Sequence, residues 1–302
     1  MRHIFIQGFT NTQLHAICRE ARFGGRTRCI RCGWTRKFWN LADGRWQCKR
    51  CKKKFGWLTD TPLAGFKLSL RDMLELLWWF ELELTDHGIA NRLEADYLQV
   101  HRFFGKVRQG MQAFEDAHIR RLEGQVEVDE TYFGAAFQNR RRADRQQLRK
   151  AGKVKRGRGA KELQQPVFGI YQRQDGLVYV ETVAEVDKST LQDIIKDKVS
   201  IETMIYSDTW KSYNGLKEDF AGHQTVNHGE AEYKRGAASI NGIEGFWGYA
   251  KERLLRYHGV SPANFLYYLK EIEFRFNHRT LNQQQFVKHL LFVLIGNHSN
   301  RH

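Results

Sequence analysis

Residues 125–134 read QVEVDETYFG, and their alternation decides how the rest of the chain is interpreted. A period of two puts Glu127 and Asp129 on one face of a β-strand and Val126, Val128 and Glu130 on the other. Inside a sheet both faces are covered, and a carboxylate withdrawn from water must be paired or hold a cation. Asp129 is the candidate metal ligand, with Glu127 and Glu130 as neighbouring alternatives.

Downstream, PVFGIYQR (166–173) and LVYVETV (177–183) continue as strands and STLQDIIKDKV (189–199) as a helix. TMIYSD (203–208) and HQTVNH (223–228) are further short strands, and a helix is expected from about Ala238 to Tyr257. Three strands, a helix, a strand ending in an acid, another strand and an acid-bearing helix is the order of an RNase H-like α/β fold. Asp208 follows the apolar MIYS at the C-terminal end of its strand, where α/β folds place ligand-binding groups; capping the next helix is the alternative. In the last helix Ile243, Trp247, Ala250 and Leu254 form an apolar stripe, while Asn241, Glu244 and Lys251 share a neighbouring face. Glu244 there would hold a metal and Lys251 a phosphate. Carboxylates gathered around divalent ions suit phosphodiester chemistry.

Upstream, Cys29-x2-Cys32 and Cys48-x2-Cys51 are separated by fifteen residues. Two such knuckles supply the four thiolates of a tetrahedral structural Zn2+ site, which reads as a zinc ribbon; Cys18 stands outside the pattern. The ribbon is basic and aromatic, with Arg36, Lys37, Arg50 and Lys52 among Trp34, Trp39, Trp46 and Trp57, so DNA contact is expected. From 66 to 120 the apolar spacing is helical. Thr85 is placed to cap a short helix through Leu93, and a turn at 94–96 leads into a second helix bearing His101, Arg102, Lys106 and Arg108. That is a helix-turn-helix candidate for DNA.

Residues 138–161 hold eleven Lys/Arg and one acid. A run of this kind is expected to form a loop that grips phosphates by charge through Arg140, Arg141, Arg142, Lys155, Arg156 and Arg158. The expected division is a ribbon (1–60), a helical region (61–122) and a catalytic domain (123–302). Over all 302 residues the net charge is +15 with pI near 9.7, which favours a polyanionic partner. No apolar stretch is long enough to span a bilayer, and the N-terminus lacks a secretory pattern. A cytoplasmic, nucleoid-associated protein with reduced cysteines is expected.

Taken together, the ribbon, EVDETYFG, SDTWKSY, NGIEGFWGYAKERL and the closing EIEFRFNHRTLN resemble the DDE transposases of small bacterial insertion sequences, the ISXO-type group related to Merlin elements. The likeness covers nearly the whole chain. By motif it implies metal-binding acids at Asp129, Asp208 and Glu244 and a trailing Lys at Lys251. Thirty-five residues separate Asp208 from Glu244, as in many DDE enzymes. Some relatives carry Asn as the third member, so Asn241, one turn earlier, is the rival; an anionic ligand favours Glu244. The resemblance further implies Mg2+ or Mn2+ as cofactor, cleavage at terminal inverted repeats, transfer of the freed 3′-OH into target DNA, and a homodimer or higher assembly. The alternatives are an RNase H-like nuclease without strand transfer and a non-catalytic, transposase-derived DNA-binding protein.

Overall fold

The computed structural model describes residues 8–118, 121–134, 142–150, 164–226, 239–257 and 259–296. Two compact units emerge: Met1–Asp116 with His278–His302, and Ala117–Asn277.

In the first unit a helix that the sequence reading did not separate from the ribbon comes first: α1 (Asn11–Phe23), opened by a Thr10–Gln13 capping box and closed by Gly24 at φ +65°. Three short antiparallel strands follow, β1 (Phe38–Asn40), β2 (Trp46–Cys48) and β3 (Lys54–Phe55). So small a sheet cannot stand on its own area. Its apolar filling is a knot of rings, Phe23, Phe38, Trp46, Phe55 and Trp57, with centroids 4.7–6.3 Å apart. Cys18 is buried in α1, and burial pushes its thiol up to about 12.

The helical stretch is α2 (Leu70–Glu81), α3 (Asp86–Leu93) and α4 (Tyr97–His118). Thr85 caps α3 as expected, its hydroxyl accepting from the Gly88 amide, and Glu94 turns the chain in the left-handed region at φ +50°. Asp86, buried, accepts from His101 at 2.7 Å and faces Arg108 at 3.5 Å. Arg108 is therefore an interior ion-pair partner, 2% exposed, whereas Arg102 and Lys106 are exposed. The last helix, α10 (Gln283–Ile295), packs on α1 and α2 in this unit; the sequence reading had assigned its residues to the catalytic domain.

The second unit is a five-stranded sheet in the order β6-β5-β4-β7-β8, built from β4 (Gln125–Phe133), β5 (Gln165–Gln172), β6 (Leu177–Thr182), β7 (Met204–Asp208) and β8 (Gly222–Val226). Strands β4 and β6 each pair antiparallel with β5 between them, and β7 and β8 add on parallel to β4. Crossovers supply the parallel part: α6 (Lys188–Lys198) before β7 and the single-turn α7 (Leu216–Asp219) before β8. One face of the sheet packs Val126, Val128, Phe168 and Ile170 against Leu191 and Ile195 of α6. The other packs Phe133, Val167, Val180 and Tyr206 against α8 (Asn241–Leu255) and α9 (Pro262–Asn277). This is a mixed α/β domain with helices on both faces.

Within the expected basic loop, Arg142–Lys150 forms a helix, α5. RADRQQLRK contains no Gly, Pro or β-branched residue, and its residues are mostly strong helix formers, so charge alone did not keep it irregular. Arg142 is exposed on that helix; Arg140, Arg141, Lys155, Arg156 and Arg158 lie outside the described residues.

Candidate active site and metal centre

Strand β4 occupies the middle of the sheet, so each of its acids meets a different neighbour. Parallel pairing sets Glu127 opposite Tyr206 of β7. The ladder ends there, and two residues further along both strands Asp129 and Asp208 follow on the same face of the sheet by the two-residue alternation. Burial pushes Asp129 up to about 6, and the negative charges of Asp208 and Glu244 add to the shift. All three carboxylates thus act on one volume. They are not drawn tightly together, since among the described residues the four cysteines are the only group of three or more His, Cys, Asp or Glu whose ligand atoms all lie within 4.8 Å of one another.

The helix bearing Glu244 is anchored to β4 by both neighbouring acids. Trp247 donates its indole N–H to Asp129 Oδ2 at 3.0 Å. Glu127, 3% exposed, accepts the Ile243 amide of the first turn of α8 at 3.0 Å, and Arg173 at 2.8 Å. Arg173 also donates to the Ser239 carbonyl ahead of the helix and lies 3.7 Å over the Tyr206 ring. Glu127 therefore serves as a cap for the helix and an ion-pair partner. A carboxylate at a helix N-terminus is favourably placed against the helix dipole.

Close approach of α8 needs two glycines. A Cβ on Gly169, which pairs with Asp129, would fall 2.6 Å from the Trp247 ring and 2.9 Å from Ile243 Cδ1. On Gly242 it would meet the Tyr171 ring at 2.3 Å. Overpacking of this kind costs about 1–3 kcal/mol, and Gly169→Ala is expected to lose that much in urea unfolding; unaltered stability would mean that α8 yields freely.

Glu130 points to the opposite face and accepts from Tyr213, a fully buried phenol five residues after Asp208, at 2.8 Å. Burial raises Glu130 to about 7. Both Asp129 and Glu130 have folded-state values above their ordinary 3.8 and 4.5, so the fold binds their protons more tightly than the unfolded chain does. Their contribution is present at low pH and is lost as pH rises through about 6 to 7. With zinc retained and no other divalent ion, the melting temperature of this unit should fall between pH 5 and 8. Glu130→Gln, which still accepts from Tyr213, should fall less; an equal slope for both proteins would remove Glu130 as a cause.

Asp208 Oδ1 accepts the Trp210 amide at 2.9 Å, which fixes the turn leaving β7. Asn241, Glu244 and Lys251 are exposed on α8. The apolar side of that helix is Ile243, Phe246, Trp247 and Ala250, with Leu254 only partly buried. Sequence reasoning treated Trp247 as packing and did not single out Arg173 or Tyr213. Each partner lies forty or more residues away in sequence, so only the Gly169 position opposite Asp129 hinted at something bulky there.

The second centre lies in the ribbon. Cys29, Cys32, Cys48 and Cys51 place their sulfurs within 4.8 Å of one another, with 3.5 Å between Cys29 and Cys51 and 3.7 Å between Cys32 and Cys48. A tetrahedron with Zn–S bonds near 2.3 Å has S···S edges of about 3.8 Å, so this donor set suits Zn2+. Both knuckles fold alike. The amides of Gly33 and Lys52 return to the carbonyls of Cys29 and Cys48, and both residues have positive φ. The Lys53 amide is the main cause that lowers the Cys51 thiol to about 7, while burial pushes the Cys29 thiol up to about 12. The ribbon cations are arranged on rings: Arg36 and Arg50 lie 5.6 and 5.8 Å over Trp34, and Lys49 and Lys52 lie 5.4 and 4.4 Å over Trp39. Lys37 is exposed beside them.

No helix among the described residues is long and apolar enough to cross a membrane. An ISXO2-like transposase domain matches residues 121–277. The chain is 29% identical over 234 residues to an uncharacterized protein in transposable element ISH50 of Halobacterium salinarum, covering 76% of this chain and 78% of that one. It is 36% identical over 107 residues to an uncharacterized transposase-like protein of Haemophilus influenzae, covering 35% of this chain and 86% of that one. The sheet with its three acids and the matched domain coincide, and the chain belongs to the ISXO2-like transposases.

Proposed function

We propose that the second unit is an RNase H-like catalytic domain and that the protein cleaves DNA at transposon ends and joins the freed 3′-OH to target DNA. The observation that carries this reading is that Asp129 and Asp208 lie on adjacent strands, beneath a helix that carries Glu244 and is bonded to the strand of Asp129. The antiparallel-then-parallel strand order supports the fold assignment.

Asp129, Asp208 and Glu244 offer only hard oxygen donors, and the raised Asp129 carboxyl is one whose ionisation a cation would relieve, so the set fits Mg2+ or Mn2+. Such ions supply Lewis-acid activation of water and of a 3′-OH and neutralise charge at the scissile phosphate. Trp247 holds Oδ2 of Asp129 and so fixes the orientation of that carboxylate. Glu127 and Arg173 set the entry of α8, and with it the reach of Glu244. Lys251, two turns on, meets a DNA phosphate as a point charge, and Asn241 stands one turn before Glu244 as its rival for the third position. The cations of α5 grip the backbone without reading bases; the ribbon and α3–α4, with Arg102 and Lys106, bind the terminal repeats. Paired ends call for a dimer or higher assembly, acting on cytoplasmic DNA.

The test is a plasmid carrying two element ends, incubated with the zinc-loaded protein and Mg2+ or Mn2+. Nicks at the ends and joined products are expected, and both disappear in excess EDTA. Cleavage without joining would make the protein a nuclease, and end binding with neither reaction would make it a DNA-binding derivative.

A further inference from the structure

The four ribbon tryptophans divide into two kinds. Trp46 and Trp57 belong to the ring knot that fills the unit. Trp39 does not. On β1 the alternation sends Phe38 inward against Phe55, with centroids 5.7 Å apart, and Trp39 outward, where it stays 40% exposed. A large indole left in water at a strand forgoes the burial that the neighbouring rings obtain. Its surroundings are cationic: Lys49, within the second knuckle, and Lys52, just after it, hold their ammonium groups 5.4 and 4.4 Å from its ring. Between residues 26 and 57 there are eleven Lys/Arg and a single acid, Asp43, which is paired with Arg45.

We propose that Trp39, framed by Lys49 and Lys52, is a stacking platform for an unpaired nucleobase, so that the ribbon captures single-stranded or frayed DNA. This rests on the reading of the ribbon as a DNA-binding element. Lysines alone suffice for phosphates, so an exposed indole adds something only for a partner with a planar face. In duplex DNA those faces are covered by neighbouring bases, and only edges reach the grooves. An unpaired base offers its face to Trp39 in place of the two flexible ammonium groups that lie over the ring, and its flanking phosphates take those groups up.

The experiment compares a blunt end duplex with the same duplex carrying a short single-stranded tail, by fluorescence anisotropy, using the zinc-loaded full-length protein. Trp39→Ala should weaken the tailed DNA by about 5- to 100-fold and the blunt duplex by less than about threefold, while Trp39→Phe keeps most of the difference. A 2-aminopurine in the tail should be quenched by the unmodified protein and not by Trp39→Ala. Unchanged zinc content shows that the variant ribbon is intact. Lys49→Gln with Lys52→Gln should weaken both DNAs and reduce the salt dependence. Equal losses on both DNAs, or no loss on the tailed one, overturn the platform. If Trp39→Ala binds normally while the lysine variant loses duplex, the ribbon still contacts DNA and only the platform falls; if neither variant loses DNA, both fall. Trp39-dependent displacement of the DNA by an acidic peptide would assign the surface to a protein and also overturn the proposal.

Discussion

Asp129→Asn and Asp208→Asn are each expected to lower cleavage and joining of end-containing DNA by about 1000-fold or more while leaving end binding intact, the scale seen when a group acting directly at a reaction centre is lost. The substitution is informative at Asp129 because Asn keeps a carbonyl oxygen for the Trp247 indole and removes only the charge. Burial already disfavours that charge, lifting the carboxyl to about 6, so at pH 7.5 without divalent ions Asp129→Asn should melt higher than the unaltered protein. Activity lost and stability gained together mark a charge held for chemistry rather than for folding. A variant that loses both would make Asp129 structural. Glu244→Gln, Asn241→Ala and Lys251→Ala, all at exposed positions of α8, should leave melting unchanged, and comparison of their rates identifies which one completes the site.

The second large effect is expected in the ribbon. Cys29→Ser with Cys48→Ser removes one thiolate from each knuckle, and structural zinc in small domains contributes an apparent ~10–16 kcal/mol of folding free energy. Against that, the ribbon has three strands of two or three residues and a few aromatic rings. Units this small depend on metal or disulfide crosslinks. The double variant should contain no zinc and should bind end DNA at least about 100-fold more weakly, since a disordered ribbon can no longer hold Arg36, Arg50 and Lys52 on their tryptophans. The melting of the second unit should be unaffected. Unchanged end binding by a zinc-free protein would refute the role assigned to the ribbon.

Much of this architecture was legible in the chain because it is local. The CxxC spacings needed only a tight turn each, and the structure gathers those four sulfurs. The apolar alternation of 125–133 and the cap at Thr85 follow from neighbours a few residues apart. The helix in the basic segment was missed because net charge was weighed above intrinsic helix propensity. The packing of α10 with the first unit was missed because HLLFVLIG is apolar enough to join either core, and nothing in its own sequence says which.

The sharpest case is the pair of acids on β4. Sequence alone determined that Glu127 and Asp129 share a face, because backbone pleating has a period of two whatever surrounds it. What each of them is bonded to was decided only by tertiary structure. A helix more than a hundred residues later sets a backbone amide and, through Ser239, an arginine on Glu127, and an indole N–H on Asp129, which also takes the Glu130 amide. Two carboxylates in one local pattern thereby differ in chemistry, since the donors and charges a buried carboxylate meets depend on what long-range packing brings to it.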